Sequence, residues 1–351
     1  MIRFFVMLLV AAGIAELISL KTSLSGVEYD QELSRSVVEP DEPFDLITIL
    51  TNRRRRFVPF LRLEEDVPIE LECASRLEIG SITDRRAILK SSAYVMPRQK
   101  LTRRTPVSLP KRGRYRFQGA FLAGGDFLGF SERGKKTELA REILVLPRRA
   151  DGAFVEALSG GLLGETSANR FLNEDPMLTL GFREYTGREP MKRIAWSQTA
   201  RMGKTMVREL DHTVERTAMV IVNVNTFAFG SYGEEMLERC FSIARSVMEK
   251  LEEMRVPYAF VSNVSPAQPM VSEGLGSAHL RSALTALGGA DYGFSESAWS
   301  LIDRASLIGG MGRTAILITP MRQDLEDAQL ERIALRTGVE PRVIYAMEEE
   351  K

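Results

Sequence analysis

Residues 218–224 read AMVIVNV, six apolar side chains in seven positions with no polar alternation. A strand with one wet face alternates apolar and polar residues, whereas a strand covered on both faces reads as a continuous apolar run. The run is followed by a helical stripe over residues 234–254, with apolar or thiol side chains at Leu237, Cys240, Phe241, Ala244, Met248 and Leu251. Residues 258–263 give the next strand. Leu280, Leu284 and Leu287 mark a second helix, and Ala298, Leu301 and Ile302 a third. A third strand follows at 315–319 (AILIT), then a helix at 325–335 and a last strand at 343–346. Strands alternating with helices in this way predict a doubly wound α/β domain over residues 217–351, with a parallel sheet and right-handed crossovers.

Immediately upstream, residues 180–211 read LGFREYTGREPMKRIAWSQTARMGKTMVRELD. The segment concentrates guanidinium, carboxylate and indole groups beyond what core packing needs. It is either an ion-paired structural element or a docking surface. Residues 149–216 as a whole read as a connector, loop-like at Gly160, Gly161 and Gly164 and dense in charge at its end. Before it, from Val27 to Pro147, the period is two. Phe44, Leu46, Thr48 and Leu50 alternate with Asp45, Ile47, Ile49 and Thr51, and Tyr115 and Phe117 alternate with Arg114, Arg116 and Gln118. Further strands are predicted at 27–34, 61–67, 69–73, 92–96, 100–109 and 142–146. Prolines at 40, 43, 59, 68, 97, 106 and 110 suit turns and strand edges and exclude long helices. Residues 23–148 are therefore expected to form a small antiparallel, Ig-like β-sandwich.

At the N-terminus, Phe4 to Ala15 is an apolar run that Glu16 interrupts before Leu17-Ile18-Ser19-Leu20. A membrane-anchor helix is expected over residues 1–22, with a signal peptide or a truncated second span as alternatives. Arg3 and Lys21 flank it almost symmetrically and set no orientation.

Among the chain's 351 residues, 47 Lys and Arg balance 47 Asp and Glu, which gives no electrostatic case for nucleic acid. Arg53 to Arg56 form a local basic run, and Arg103, Arg104, Lys111, Arg112, Arg114 and Arg116 a cluster. These read as solvated faces, or as faces for an anionic partner such as a membrane surface. The two cysteines, Cys73 and Cys240, fall in different domains and make neither a disulfide framework nor a metal cluster; Cys240 belongs to a core stripe.

In an open α/β sheet ligands bind beyond the carboxyl ends of the strands. The first strand ends in Asn223-Val224-Asn225-Thr226-Phe227, the second in Ser262-Asn263 and the third in Thr319-Pro320. A von Willebrand factor A domain holds Mg²⁺ at the first position with an Asp-x-Ser-x-Ser run, since a hard cation takes carboxylate and hydroxyl oxygens. Here those positions are Asn223, Asn225 and Phe227, a degenerate site expected to hydrogen-bond its own loops. No cofactor is expected and at most weak Mg²⁺ binding. Gly203-Lys204-Thr205 resembles the end of a phosphate-binding loop, but Gln198 stands where its first glycine belongs. His212 and His279 neighbour no nucleophile elbow, and Glu64, Glu65 and Asp66 alternate between faces of a strand. The chain is therefore not expected to be an enzyme.

The segment Gly181-Phe182-Arg183-Glu184-Tyr185, Gly187, Arg193-Ile194-Ala195-Trp196, Ala200-Arg201 and Val207-Arg208-Glu209 resembles the signature of the domain-of-unknown-function 58 family. Upstream, Arg112-Gly113-Arg114-Tyr115, Asp126-Phe127-Leu128-Gly129 and Val145-Leu146-Pro147-Arg148 are similar to that family's β-rich part. The resemblance implies N-terminal membrane spans, a β-sandwich, the signature, and a von Willebrand factor A-like α/β domain. It also implies partnership with MoxR-type AAA+ ATPases. The chain departs from the pattern in having one marginal span where two are usual, and in its degraded metal triplet. The expected function is a membrane-tethered scaffold or adaptor at the cell membrane, its soluble region cytoplasmic; the alternative is an extracellular metal-dependent binding or adhesion module. In the signature, Arg183 and Arg193 are expected to pair with Glu184 or Glu209, and Trp196 to serve as a buried anchor. Tyr185, Gly187, Arg201 and Arg208 complete the set, which either clasps the fold or meets a partner.

Overall fold

The computed structural model describes residues 7, 24, 26–73, 78–83, 86–125, 132–151, 174–186, 194–212, 217–225, 230–266, 269–308 and 313–347. The chain divides into two compact units, Met1–Arg148 with Leu284–Asp291, and Arg149–Ala283 with Tyr292–Lys351.

The first unit holds β1 (Val27–Leu33), β2 (Val37–Val38), β3 (Phe44–Asn52), β4 (Val58–Pro68), β5 (Glu72–Cys73), β6 (Glu78–Thr83), β7 (Arg86–Val95), β8 (Lys100–Ser108), β9 (Gly113–Gly125) and β10 (Glu132–Val145). They form a four-stranded sheet in the order β1-β3-β8-β5 and a six-stranded sheet in the order β2-β10-β9-β4-β7-β6. Pairing is antiparallel except between β2 and β10. Inward residues of both sheets build two apolar clusters, one around Leu46, Val67, Leu89 and Phe117, the other around Leu50, Leu61, Leu63 and Leu122.

A polar layer separates those clusters. Along β4 the inward positions run Leu61, Leu63, Glu65, Val67, and along β3 they run Leu46, Thr48, Leu50. Glu65 Oε1 accepts hydrogen bonds from Tyr29 Oη (2.8 Å), Thr48 Oγ1 (2.7 Å) and Gln31 Nε2 (3.4 Å), so one carboxyl links the two sheets. Burial pushes the Glu65 carboxyl above its ordinary range, while the Thr48 and Tyr29 hydrogen bonds and the Arg103 charge pull it down. The folded chain therefore keeps this proton over a pH window in which the unfolded chain has released it. Stability falls as pH rises from the unfolded carboxylate pKa, about 4.3, to the folded one, and stays at the lower level above it. Glu65→Gln, which is neutral at every pH, is expected to match the wild type in melting temperature near the acid end. It should exceed the wild type above neutrality, as a pH series of thermal melts would show. A variant less stable than the wild type throughout would exclude a desolvated carboxyl as the cause.

At Glu138/Arg141 the β9–β10 register slips. Gly119 opposite it has φ +102°, and a Cβ there would sit 2.1 Å from the Thr137 carbonyl oxygen, so only glycine fits. After the slip, Arg141 donates from Nε to the Gln31 carbonyl (2.8 Å) and so ties β10 to the opposite sheet. Arg112, read from sequence as part of a basic surface cluster, is instead buried, and its guanidinium donates to the carbonyls of Leu287 (2.9 Å) and Ala290 within this unit.

The second unit begins with a hairpin, β11 (Glu174–Glu184) and β12 (Met206–His212), with α1 (Trp196–Met202) between its strands. It continues with β13 (Ala218–Val222), α2 (Gly230–Glu253), β14 (Tyr258–Ser262), β15 (Met270–Gly274), α3 (Ser277–Gly288, which from Leu284 on counts with the first unit), α4 (Ala298–Ile308), β16 (Thr314–Thr319), α5 (Asp327–Thr337) and β17 (Arg342–Tyr345). The sheet order is β15-β14-β13-β16-β17, with β13 central and every residue of it buried. Met219, Ile221 and Leu317 face Leu301, Ile302 and Ala305 of α4 and Ile333 of α5. Helix α2 packs against β13 and β16 and buries Leu237, Cys240, Phe241, Ala244, Met248 and Leu251.

Three expectations are corrected. The sheet is not wholly parallel, because β15 returns antiparallel to β14; the short link between them leaves no room for a crossover. The connector contains the β11–β12 hairpin. No helix among the described residues is long and apolar enough to cross a membrane, so the fold is mixed α/β with several sheets and the membrane-anchor helix expected over residues 1–22 is not supported. Apart from Met7, residues 1–22 lie outside the described ones. The uninterrupted run from Phe4 to Ala15 is twelve residues, short of the roughly 17 that a span requires.

Candidate functional site

The signature segment folds as a hairpin with a helical turn inserted before its second strand. Phe182 lies opposite Arg208, Arg183 opposite Val207 and Glu184 opposite Met206. Beyond β11 the Tyr185 N–H donates to the Thr205 carbonyl (2.8 Å), and the Ala195 N–H to the Met206 carbonyl (2.8 Å). Ile194 bridges to Val207, and Ile194, Ala195, Met206 and Val207 are the buried apolar contacts that seat the turn. Helix α1 ends at Gly203, whose left-handed φ of 68° lets its N–H cap the Thr199 carbonyl. The Thr199 hydroxyl accepts from the Met206 N–H (2.9 Å), fixing the helix to the start of β12.

No side chain of α1 is buried. Trp196, expected as a buried anchor, is 66% exposed; Met202 is 65% and Phe182 43% exposed. The buried positions beside β12 are already filled by Ile194 and Ala195, which leaves the indole outside. Arg183, Glu184 and Arg201 are exposed, and Tyr185 is half-buried. Glu184 pairs with Lys204 at 2.6 Å rather than with an arginine of the signature. Arg183 and Glu184 are neighbours on one strand and so point to opposite faces. Arg208 and Glu209 lie on β12, Glu209 opposite Gly181. Gly187 and Arg193 fall outside the described residues.

The second candidate lies at the carboxyl ends of β13, β14 and β16, where the strand order reverses. Asn223, Ser262, Asn263 and Thr319 are all fully buried there. Asn223 Nδ2 donates to Thr319 Oγ1 (3.1 Å) and to the Asn225 carbonyl (3.4 Å). Its Oδ1 accepts from the Asn225 N–H (3.1 Å) and from Asn263 Nδ2 (2.9 Å). Asn263 Oδ1 in turn accepts from the Val224 N–H (2.9 Å), and Asn263 Nδ2 also reaches the Glu296 carbonyl (3.2 Å). Asn223 thus spends both amide protons and both oxygen lone pairs inside the loops. This donor set does not fit Mg²⁺, which wants uncommitted, preferably anionic oxygens in octahedral array. Among the described residues no group of three His, Cys, Asp or Glu side chains is placed to hold a metal ion. Phe227 lies outside the described residues.

Cys240 and His279 are both taken up by the fold. Burial pushes the Cys240 thiol far above its ordinary range. His279 sits in the first turn of α3, where its Nε2 meets the Tyr258 carbonyl (2.9 Å) and its ring lies edge-on to Tyr258 (4.6 Å).

Sequence reasoning missed the ion-paired core of α2. Arg245, 1% exposed, donates from Nε to Glu249 Oε1 (2.9 Å), while Arg149 Nε reaches Glu249 Oε2 (2.9 Å). The Ala150 N–H donates to Ser246 Oγ (2.9 Å) and completes the attachment of residues 149–150 to the helix. The available signal was an arginine directly after Ala244 on the apolar stripe, four residues before a glutamate.

The family model described as Protein of unknown function DUF58 matches residues 181–291, which supports the family resemblance read from the signature. No curated protein matches the chain significantly. Among solved structures, a cohesin module from a Clostridium perfringens ATCC13124 family 33 glycoside hydrolase aligns at 8% identity and a TM-score of 0.25, over 34% of this chain and 96% of that one. The Pseudomonas fluorescens alkylpurine DNA glycosylase AlkC aligns at 9% identity and TM-score 0.22, over 37% and 35% of the two chains. The Bacillus subtilis sporulation control protein Spo0M aligns at 10% identity and TM-score 0.20, over 46% and 58%. Likenesses this slight carry no functional argument.

Proposed function

We propose that this chain, with its DUF58 match across residues 181–291, is a non-enzymatic adaptor whose signature hairpin docks a protein partner, a MoxR-type AAA+ ATPase. The observation that carries the reading is the exposure of Trp196, Arg201 and Met202 on α1, with Phe182 and Arg183 also exposed on β11. Tryptophan and arginine dominate the energetics of protein interfaces, and an exposed indole on a rigid, capped turn is already ordered for contact. An intramolecular clasp would bury that indole. The choice of ATPase rests on the family resemblance and the hairpin supplies the surface for it. The alternative of a metal-dependent adhesion module draws no support from the self-satisfied Asn223 amide.

The test is a titration of the full chain with a MoxR-type ATPase, comparing wild type, Trp196→Ala and Arg201→Glu. Loss of an interface hot spot costs about 2 kcal/mol or more, so affinity should drop about 30-fold in the tryptophan variant. Its melting temperature should stay at the wild-type value.

A further inference from the structure

We propose that the turns β3–β4 and β7–β8 of the first unit form one docking surface for an anionic lipid surface. The first turn carries Arg53-Arg54-Arg55-Arg56-Phe57 and the second Met96-Pro97-Arg98-Gln99. Asn52, 2% exposed, holds them together: its Nδ2 donates to the carbonyls of Arg56 (2.7 Å) and Met96 (3.1 Å), and its Oδ1 accepts from the Arg54 N–H (3.0 Å). The Asn52 N–H reaches the Gln99 carbonyl (2.9 Å), and the Arg98 N–H the Arg54 carbonyl (2.9 Å). Arg98 holds a left-handed φ of 56°, a conformation that a side chain-bearing residue adopts only where its surroundings fix it. Hydrogen bonds thus join the two turns into one platform.

The platform is basic and apolar at once. All five arginines are exposed, and Arg53 pairs with Glu28 at 2.8 Å. Tyr94 is 60%, Met96 48% and Phe57 43% exposed, and the Phe57 and Tyr94 rings lie 6.4 Å apart. Guanidinium groups are drawn to the negative potential of an anionic leaflet, while aromatic and thioether side chains settle at the headgroup level. That pairing of charge with exposed apolar side chains matches a lipid interface better than a nucleic acid. A polyelectrolyte partner would also favour a basic chain, and here 47 basic residues meet 47 acidic ones.

The experiment is sedimentation of the full chain with vesicles of phosphatidylcholine alone and of phosphatidylcholine mixed equally with phosphatidylglycerol, with a single-stranded RNA arm. Wild type is compared with R54A/R55A/R98A and with F57S/Y94S/M96S, all substitutions of exposed side chains that leave Asn52 intact. Preference for the anionic vesicles is expected, weakened by salt, with about a 100-fold lower partition in the triple arginine variant. The triple apolar variant should also bind more weakly. Partition into neutral vesicles should be the same for wild type and arginine variant, since the apolar residues 4–15 are common to both. Equal partition of wild type and arginine variant into anionic vesicles would overturn the proposal. So would RNA binding without a preference for anionic vesicles.

Discussion

Glu249→Ala is expected to destabilise the second unit by about 3–5 kcal/mol, measured by chemical denaturation. The cost follows from what the substitution leaves behind. Arg245 is 1% exposed on a helix that packs against the central strands, and its guanidinium cannot turn to water when the carboxylate at 2.9 Å is removed. A buried charge that loses the carboxylate beside it costs more than the pair itself contributes. Arg149, on the other side of the same carboxylate, is 68% exposed, so Arg149→Ala should cost less than about 1 kcal/mol. The contrast between the two variants is the signature of one carboxylate serving a buried and a wet cation. Near-equal effects would exclude it.

The second large effect is expected at Asn223. Removing its amide by Asn223→Ala deprives the Asn225 N–H and Thr319 Oγ1 of their partners at a buried strand end, at a cost of about 2–3 kcal/mol. Asn223→Asp should be worse at neutral pH, because a carboxylate oxygen then faces the Asn225 carbonyl where the amide now donates. The wild-type melting temperature should be indifferent to Mg²⁺ and to EDTA. A rise of several degrees with Mg²⁺ would show that the strand end binds the cation after all.

How much of this was legible depends on whether a segment has one face, two or none in the core. The run 218–224 announced β13 because both its faces are covered, and the α2 stripe was equally plain. Strand β15 and the first half of β10 carried no signal, since their side chains are exposed or half-buried on both faces. The β11–β12 hairpin was hidden for a related reason, its turn being seated, among the described residues, by Ile194, Ala195, Met206 and Val207. Glu65 could have been found, because the alternation that places Leu61 and Leu63 inward places Glu65 inward as well. Trp196 could not have been placed from local pattern. Its residue type suits a core and an interface equally, and the choice depends on Ile194 and Ala195 having filled the space first. Asn223 and Asn225 were read as positions of a degraded cation site; Asn223 is hydrogen-bonded to Asn225, Thr319 and Asn263.

The central proposal is that the exposed signature hairpin is the docking part of this chain. Titrating the full chain and its Trp196→Ala variant with a MoxR-type ATPase, with and without ATP, tests it most directly. Saturable binding by the wild type that weakens about 30-fold in the variant, with both proteins melting at the same temperature, is the predicted result. Absence of binding in every nucleotide state, or equal binding by the two proteins, would contradict it.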